Sequence, residues 1–291
     1  IIIPSMNRLN LLQQFLIDLA DQTMKPDEIV VVDQSNNPYD NLNCKHVIDS
    51  KKGPCRARNL GAKNCKGDIL VFLDDDIRIG SKFLSEICSP ILNGKFSAVC
   101  GAICDKDGNY LRNDRYYWRT QSTSILRAMT ISPSNPVSGL SLCFPGGCSA
   151  ISRDVFYQIG GFDLFFDPDG AGGDREIAVR LFNSGYPVFY NSNAKLHHLQ
   201  VNYVGRRDKE GYHFDMIGAN IAYIVGIYFD RTNYQKYVKQ FLIFELTNGL
   251  KLDPLSWFRS VRRLYYANEY MKTVDEKIKT YVQGENFIEP V

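Results

Sequence analysis

The run Gly67-Asp-Ile-Leu-Val-Phe-Leu-Asp-Asp-Asp76 decides the fold class. Its apolar stretch, residues 69–73, is short for a helix and lacks the alternation of a strand with one wet face. Such a run fits a strand covered on both sides, as in sheets whose parallel strands are joined by helices. Three acids follow at once, Asp74, Asp75 and Asp76, and their mutual repulsion calls for a cation or a basic partner. A solvated turn in which an aspartate caps the next helix is the simpler alternative, and this segment alone does not choose between them.

Residues 1–3 and 29–32 are further short apolar runs. Between them Leu11, Leu12, Phe15, Leu16, Leu19 and Ala20 share one helical face, and Pro26 closes the segment. Residues 55–65 predict a second helix, ended by Gly67. The order strand, helix, strand, helix, strand puts Asp33 and the triple acid at the carboxyl ends of neighbouring strands, the edge where open α/β sheets bind ligands. Further on, the pattern predicts a helix over 81–92, a strand over 98–103 and an irregular polar stretch over 105–139 with a loop at Ser132-Pro-Ser-Asn-Pro136. It then predicts a strand at 149–151, helices over 153–159 and 174–184, and a strand at 188–190. Beyond Gly205 the segments turn helical and aromatic-rich, so residues 1–205 are expected to form the main α/β domain and 206–291 a helical appendage.

A hydrophobic content of 44% supports a full core and excludes a disordered chain. With 34 basic and 32 acidic residues there is no global field to recruit nucleic acid, so none is expected as a partner. The eight cysteines form no CxxC pair and several stand in apolar runs, which predicts reduced thiols in the cytoplasm. The absence of any Asn-x-Ser/Thr acceptor agrees with that. The opening Ile1-Ile2-Ile3-Pro4 reads as a strand rather than a targeting peptide. The longest apolar stretch, 216–229, contains Asn220 and falls short of the ~20 residues that span a bilayer.

Seven short motifs stand in order along residues 1–205: Ile2-Ile-Pro-Ser-Met-Asn-Arg8, Ile29-Val-Val-Val-Asp-Gln-Ser35, Ala57-Arg-Asn-Leu-Gly61, the run ending in Asp76, Gly160-Gly-Phe-Asp163, Gly173-Asp-Arg-Glu-Ile-Ala-Val-Arg-Leu181 and Ala194-Lys-Leu-His-His-Leu199. In that order they resemble the inverting family-2 glycosyltransferases. The resemblance implies an α/β GT-A nucleotide-binding fold, with a mainly parallel central sheet flanked by helices. It implies that Asp74 and Asp76 match the acidic pair that holds a divalent cation, Mn2+ or Mg2+, on the donor diphosphate. Asp76 is then the direct ligand, Asp74 faces the ribose or a metal-bound water, and Asp75 lies on the nucleotide side. His198 completes the metal site, with His197 as the alternative, because adjacent strand residues face opposite ways.

By the same resemblance Pro4, Ser5, Asn7 and Arg8, with Asp33 and Gln34, occupy the nucleobase and ribose sites. Family members often carry an acid where Gln34 stands. Arg58 matches a basic residue near the nucleotide, where a guanidinium suits phosphate oxygens, although a solvated helix face shared with Arg56 is the bland reading. Asp174 falls on the family's Glu-Asp motif, with Gly173 in place of Glu, and becomes the general base; a helix N-terminal cap is the competing role. Glu176 and Arg180, four apart, are expected to pair on a helix surface. Asp167-Pro-Asp-Gly170 lacks the spacing of an EF-hand and is expected to be a flexible loop.

The function implied is transfer of a sugar from a nucleotide-diphosphate donor, of UDP or dTDP type, to a glycan or lipid-linked acceptor in polysaccharide or glycoconjugate synthesis. A sugar-1-phosphate nucleotidyltransferase is the alternative, but it calls for a Gly-rich basic loop after the first strand, and Pro4-Ser-Met-Asn7 is not one. A non-catalytic nucleotide-sugar-binding module is the third reading, and loss of the acids would mark it. Trp257, Arg259, Arg262, Arg263 and Tyr265 suggest peripheral contact with the inner face of a membrane, or packing on the catalytic domain or a second copy in a homo-oligomer.

Overall fold

The strand-and-helix alternation is realised in the computed structural model, which describes residues 1–110, 136–141, 143–168, 170 and 172–199. In chain order the elements are β1 (Ile2–Ser5), α1 (Leu9–Ala20), β2 (Val30–Asp33), β3 (Lys45–Ile48), α2 (Pro54–Lys63), β4 (Ile69–Leu73), β5 (Ile77–Ile79) and α3 (Phe83–Leu92). There follow β6 (Ala98–Cys104), β7 (Gly139–Ser141), β8 (Cys148–Ser152), α4 (Arg153–Gln158), a 3-10 turn (Leu164–Phe166), α5 (Gly173–Asn183) and β9 (Val188–His198). The expected boundary at 205, the appendage 206–291, most of the 132–136 loop and Asp169 lie outside the described residues. Among the described residues no helix is long and apolar enough to cross a membrane.

One sheet contains all these strands, in the order β3-β2-β1-β4-β8-β6-β9-β5, with β7 also on β9. Its first half is parallel, as the crossover helices require. Beyond β4 it is mixed, because β8 runs antiparallel to both β4 and β6. The parallel character expected of the whole sheet therefore belongs to the β3-β2-β1-β4 half and to the β6–β9 pair.

β4 is covered on both faces, which explains its unbroken apolar run. Val71 and Leu73 join the core formed with Ile3, Val31, Phe15 of α1 and Ile87 of α3. Phe72 packs among other aromatics, with ring centroids 5.2 Å from Phe156 and 5.1 Å from Phe162. Edge-on and tilted contacts of this kind add about 0.5–1.5 kcal/mol each beyond burial.

β9 runs on well past the expected 188–190, through a bulge. Residues 188–191 pair with 98–101 of β6, and pairing then resumes at Lys195 opposite Ala102. The intervening residues bulge out, and Ser192 donates its backbone N–H to Ser138 Oγ at 2.9 Å. After the bulge, β9 runs antiparallel to β5, with His198 opposite Ile77.

Candidate active site at the carboxyl edge of the sheet

The β5–β9 pairing delivers a histidine to the acids. Leu199 donates its N–H to Asp76 O at 2.9 Å. His198 Nε2 consequently lies 3.6 Å from Asp76 Oδ1. Asp74, Asp76 and His198 each offer one ligand atom, all within 4.8 Å of one another. Two carboxylates and an imidazole are a donor set that fits Mn2+ or Mg2+. His197 is directed elsewhere, its Nδ1 3.1 Å from Asp105 O.

Asp75 turns inward. It is 3% exposed, accepts from Ser5 Oγ at 2.6 Å and pairs with Arg8 Nη1 at 2.8 Å. Burial pushes its carboxyl up to about 6 against the opposing pull of Arg8 and Ser5. The sequence put Asp75 beside the nucleotide; the structure makes it the anchor of the first-strand loop. Arg8 Nη1 also reaches Asp76 Oδ2 at 3.0 Å, so the guanidinium joins that loop to the metal-type cluster.

The loops after β1 and β2 are knitted together. Tyr39 Oη accepts the Arg8 N–H at 2.7 Å and lies 2.9 Å from Ser5 Oγ. Asn7 donates its N–H to Ser35 Oγ and accepts from Asn36 N. Pro4 stands half-buried on β1 opposite Val32. Asp33, fully buried, accepts from Ser35 N at 2.8 Å and Tyr39 N at 2.7 Å, with His46 Nε2 at 3.1 Å. Burial raises its carboxyl, but these hydrogen bonds outweigh it and hold Asp33 below the usual aspartate value. Gln34 donates its amide to Lys51 O at 2.6 Å and to Gly53 O at 3.2 Å, and accepts from Gly53 N at 3.1 Å. Both residues thus spend these polar atoms on holding the loops at the carboxyl end of β2.

Arg58 is buried rather than solvated. Its Nε donates to Gly146 O at 2.8 Å and its Nη2 to Asp74 Oδ1 at 3.0 Å, while the guanidinium lies 5.5 Å from the Phe162 ring centroid. Arg56, its expected companion, pairs instead with Asp49 at 2.9 Å. Asp174, in the first turn of α5, accepts the Gly146 N–H at 3.0 Å. Burial raises the Asp174 carboxyl above the ordinary aspartate value, with the charge of Arg58 opposing. Gly146 therefore joins Asp174, through its N–H, to Arg58, through its carbonyl. A Cβ there would overlap the Arg58 guanidinium, so a side chain at 146 would push Arg58 from this position.

Sequence reasoning passed over Gly146, Tyr39 and His46. The Pro145-Gly-Gly147 step was the available signal for the first, since paired glycines often mark close backbone approach. No local signal marks Tyr39 or His46. Glu176 and Arg180 do pair, at 2.7 Å, but the pair is buried at 2% and 8% side-chain exposure, not on the surface. α5 lays that face inward, where Arg180 also donates to Ile159 O.

Comparison with known proteins shows the family and the fold. The model of Glycosyl transferase family 2 matches residues 1–160, more than half of the chain. Among relatives, the chain is 25% identical over 246 residues to a probable N-acetylgalactosaminyltransferase 9 of Caenorhabditis elegans, covering 79% of this chain and 36% of that protein. It is 24% identical over 223 residues to the O-antigen chain rhamnosyltransferase RfbN of Salmonella typhimurium, covering 73% of this chain and 69% of that one. The chain spans 24% and 36% of the length of the first two N-acetylgalactosaminyltransferases it matches. The structure of GalNAc-T7 with UDP, GalNAc and Mn2+ shares the fold at a TM-score of 0.59 and 17% identity, covering 95% of this chain and 56% of that chain. S. aureus TarS does so at a TM-score of 0.54 and 16% identity, covering 91% of this chain and 48% of that chain. The chain belongs to glycosyl transferase family 2.

Proposed function

We propose that this protein is a metal-dependent, inverting glycosyltransferase that moves a sugar from a UDP- or dTDP-type donor to a hydroxyl of a glycan or lipid-linked acceptor. The observation that carries the reading is the clustering of Asp74, Asp76 and His198 at the sheet's carboxyl edge, joined to Asp174 through Arg58 and Gly146. When bound there, Mn2+ or Mg2+ supplies positive charge to a diphosphate leaving group. Asp74, Asp76 and His198 would hold it. Arg58, with Nε and Nη2 already aligned, adds a fixed positive charge beside that position. Asp174 takes the proton from the acceptor hydroxyl, and its raised affinity for protons suits it to that task. A single displacement of this kind inverts the anomeric carbon.

Tyr39, Ser5, Asn7, Asp33 and Gln34 shape the nucleoside pocket from behind. The aromatic and basic residues 257–266 support an acceptor presented at the inner membrane surface, which flotation with anionic vesicles tests. The test of the main reading is a panel of UDP- and dTDP-sugars, with Mn2+, Mg2+ or chelator, followed by nucleotide release. Metal-dependent release from at least one donor is the expected result; release that persists in excess chelator refutes the metal mechanism.

A further inference from the structure

Helix α2, which carries Arg58, is fastened along its length to the segment leading into α5. Near its carboxyl end Tyr157 Oη donates to Ala62 O at 3.0 Å. In the middle Asn59 Nδ2 donates to Phe162 O and Asn59 Oδ1 accepts the Phe162 N–H, both at 2.8 Å. At the amino end Asp167 accepts the N–H groups of Cys55 and Arg56, one on each carboxylate oxygen, both at 2.9 Å. The helix has no side-chain cap of its own, because Gly53 stands at the N-cap position. Asp167 supplies the missing cap from 112 residues away, with the charge that a helix amino end favours.

Gly53 makes this reach possible. Its backbone lies at φ +152°, and a Cβ there would stand 2.3 Å from Asp167 Cγ. Gln34 holds the same glycine from the β2 side through the paired bonds to its N–H and carbonyl. Between Asp167 and α5, Gly170 N donates to Phe166 O at 2.7 Å and Gly173 N to Gly170 O at 3.2 Å. A closed ring results: Arg58 to Gly146 to Asp174, whose neighbour Gly173 is bonded through Gly170 to Phe166 beside Asp167, and from Asp167 to the start of α2.

We propose that Asp167 is a positioning residue that holds the phosphate-facing Arg58 and the proton-accepting Asp174 in one frame. The phosphate-facing role of Arg58 and the base role of Asp174 rest on the proposed function, whereas the ring itself rests on the hydrogen bonds. Asp167, at the start of the segment expected to be a flexible loop, is thereby a tie to α2. Its carboxylate, read at first as a poor ion ligand, has both oxygens committed to α2.

Hydrogen exchange of the full chain, read by mass spectrometry, tests the coupling without any substrate. Asp167→Ala should speed exchange about tenfold in peptides covering 53–60 and also in peptides covering 144–148, which contain the Gly146 N–H held by Asp174. Glu28→Ala removes a side-chain bond to Lys66 N beyond the other end of α2 and should leave 144–148 at the native rate. Asp167→Asn keeps one good acceptor and should fall between; if the alanine variant does not fold, the asparagine variant is judged by the same criterion. Faster exchange confined to 53–60 overturns the proposal. In parallel, calorimetry with UDP and Mn2+ should show about tenfold weaker binding to Asp167→Ala, and kcat of transfer should fall with it, since small displacements of positioned groups are costly. Native protein that binds no nucleoside diphosphate would defeat the proposed function, and the exchange data would still decide the ring.

Discussion

Asp174 occupies the first turn of a helix, where a carboxylate is favourable whatever else it does. Replacement by asparagine separates the two roles, because the amide still accepts the Gly146 N–H but cannot take up a proton. Asp174→Asn should keep its thermal midpoint and nucleotide affinity while transfer drops about 10²-fold or more. The acid limb of the native rate profile should lie above the ordinary aspartate pKa, since burial raises this carboxyl and the base works only when deprotonated. Activity is then lost as pH falls through that raised value, and an Asn variant with native kcat would return Asp174 to a capping role. At the metal cluster, Asp76→Ala should abolish Mn2+-dependent donor binding with the fold retained, as checked by calorimetry beside circular dichroism. Three charges after a buried strand made these acids stand out in the sequence, but the run alone fitted a solvated turn as well, and only the order of the surrounding motifs favoured a cation site. The inward turn of Asp75 was not, since Ser5 and Arg8 meet it only once β1 and β4 are neighbours in the sheet.

Elements buried on both faces announce themselves by composition, and β1, β2 and β4 stand where their apolar runs lie. β3 and β5 were missed for a physical reason: Lys45-His-Val-Ile48 is a half-exposed edge strand, and Ile77-Arg-Ile79 is three residues hidden behind the acids. β9 was cut short because its bulge breaks the period of two. The stretch beyond the bulge is the one that pairs with β5 and carries His198 to Asp76, so the part of β9 hardest to read from sequence reaches the site. In α5, spacing identified the Glu176–Arg180 pair but not its burial, which depends on what packs over it. Burial changes the expected energetics: losing one partner strands a desolvated charge, and Glu176→Ala should cost about 3 kcal/mol, well beyond the cost of losing a surface pair. A shift in the urea midpoint at constant m measures this, and an effect below about 1 kcal/mol would mean that water reaches Arg180 in the folded state.

At the scale of the described domain, the two halves of the sheet divide the work. The parallel half, β3-β2-β1-β4, ends in the loops of Asn7, Asp33, Gln34 and Tyr39, which brace one another before any ligand arrives. The mixed half brings in His198 through β9 and Gly146 through the turn before β8. Asp76 and Arg58 sit where these meet, so a nucleoside diphosphate would touch both halves when bound. A ligand that bridges them stabilises the folded state by mass action, about 2.7 kcal/mol at a hundredfold excess over Kd, which should raise the Tm by several degrees. UDP with Mn2+ should give this shift, UDP with chelator a much smaller one, and uridine little in either condition, because on the proposed function the phosphates meet the cation, Arg58 and the sheet edge together. Asp76→Ala should erase the increment due to metal, while Asp174→Asn should keep it, since Asp174 accepts from Gly146 N and is not one of the three clustered ligand residues. Equal stabilisation by UDP with and without metal would mean that Arg58 and the loops bind the diphosphate unaided, and the Asp74, Asp76 and His198 cluster would then need a role other than holding the cation on the donor.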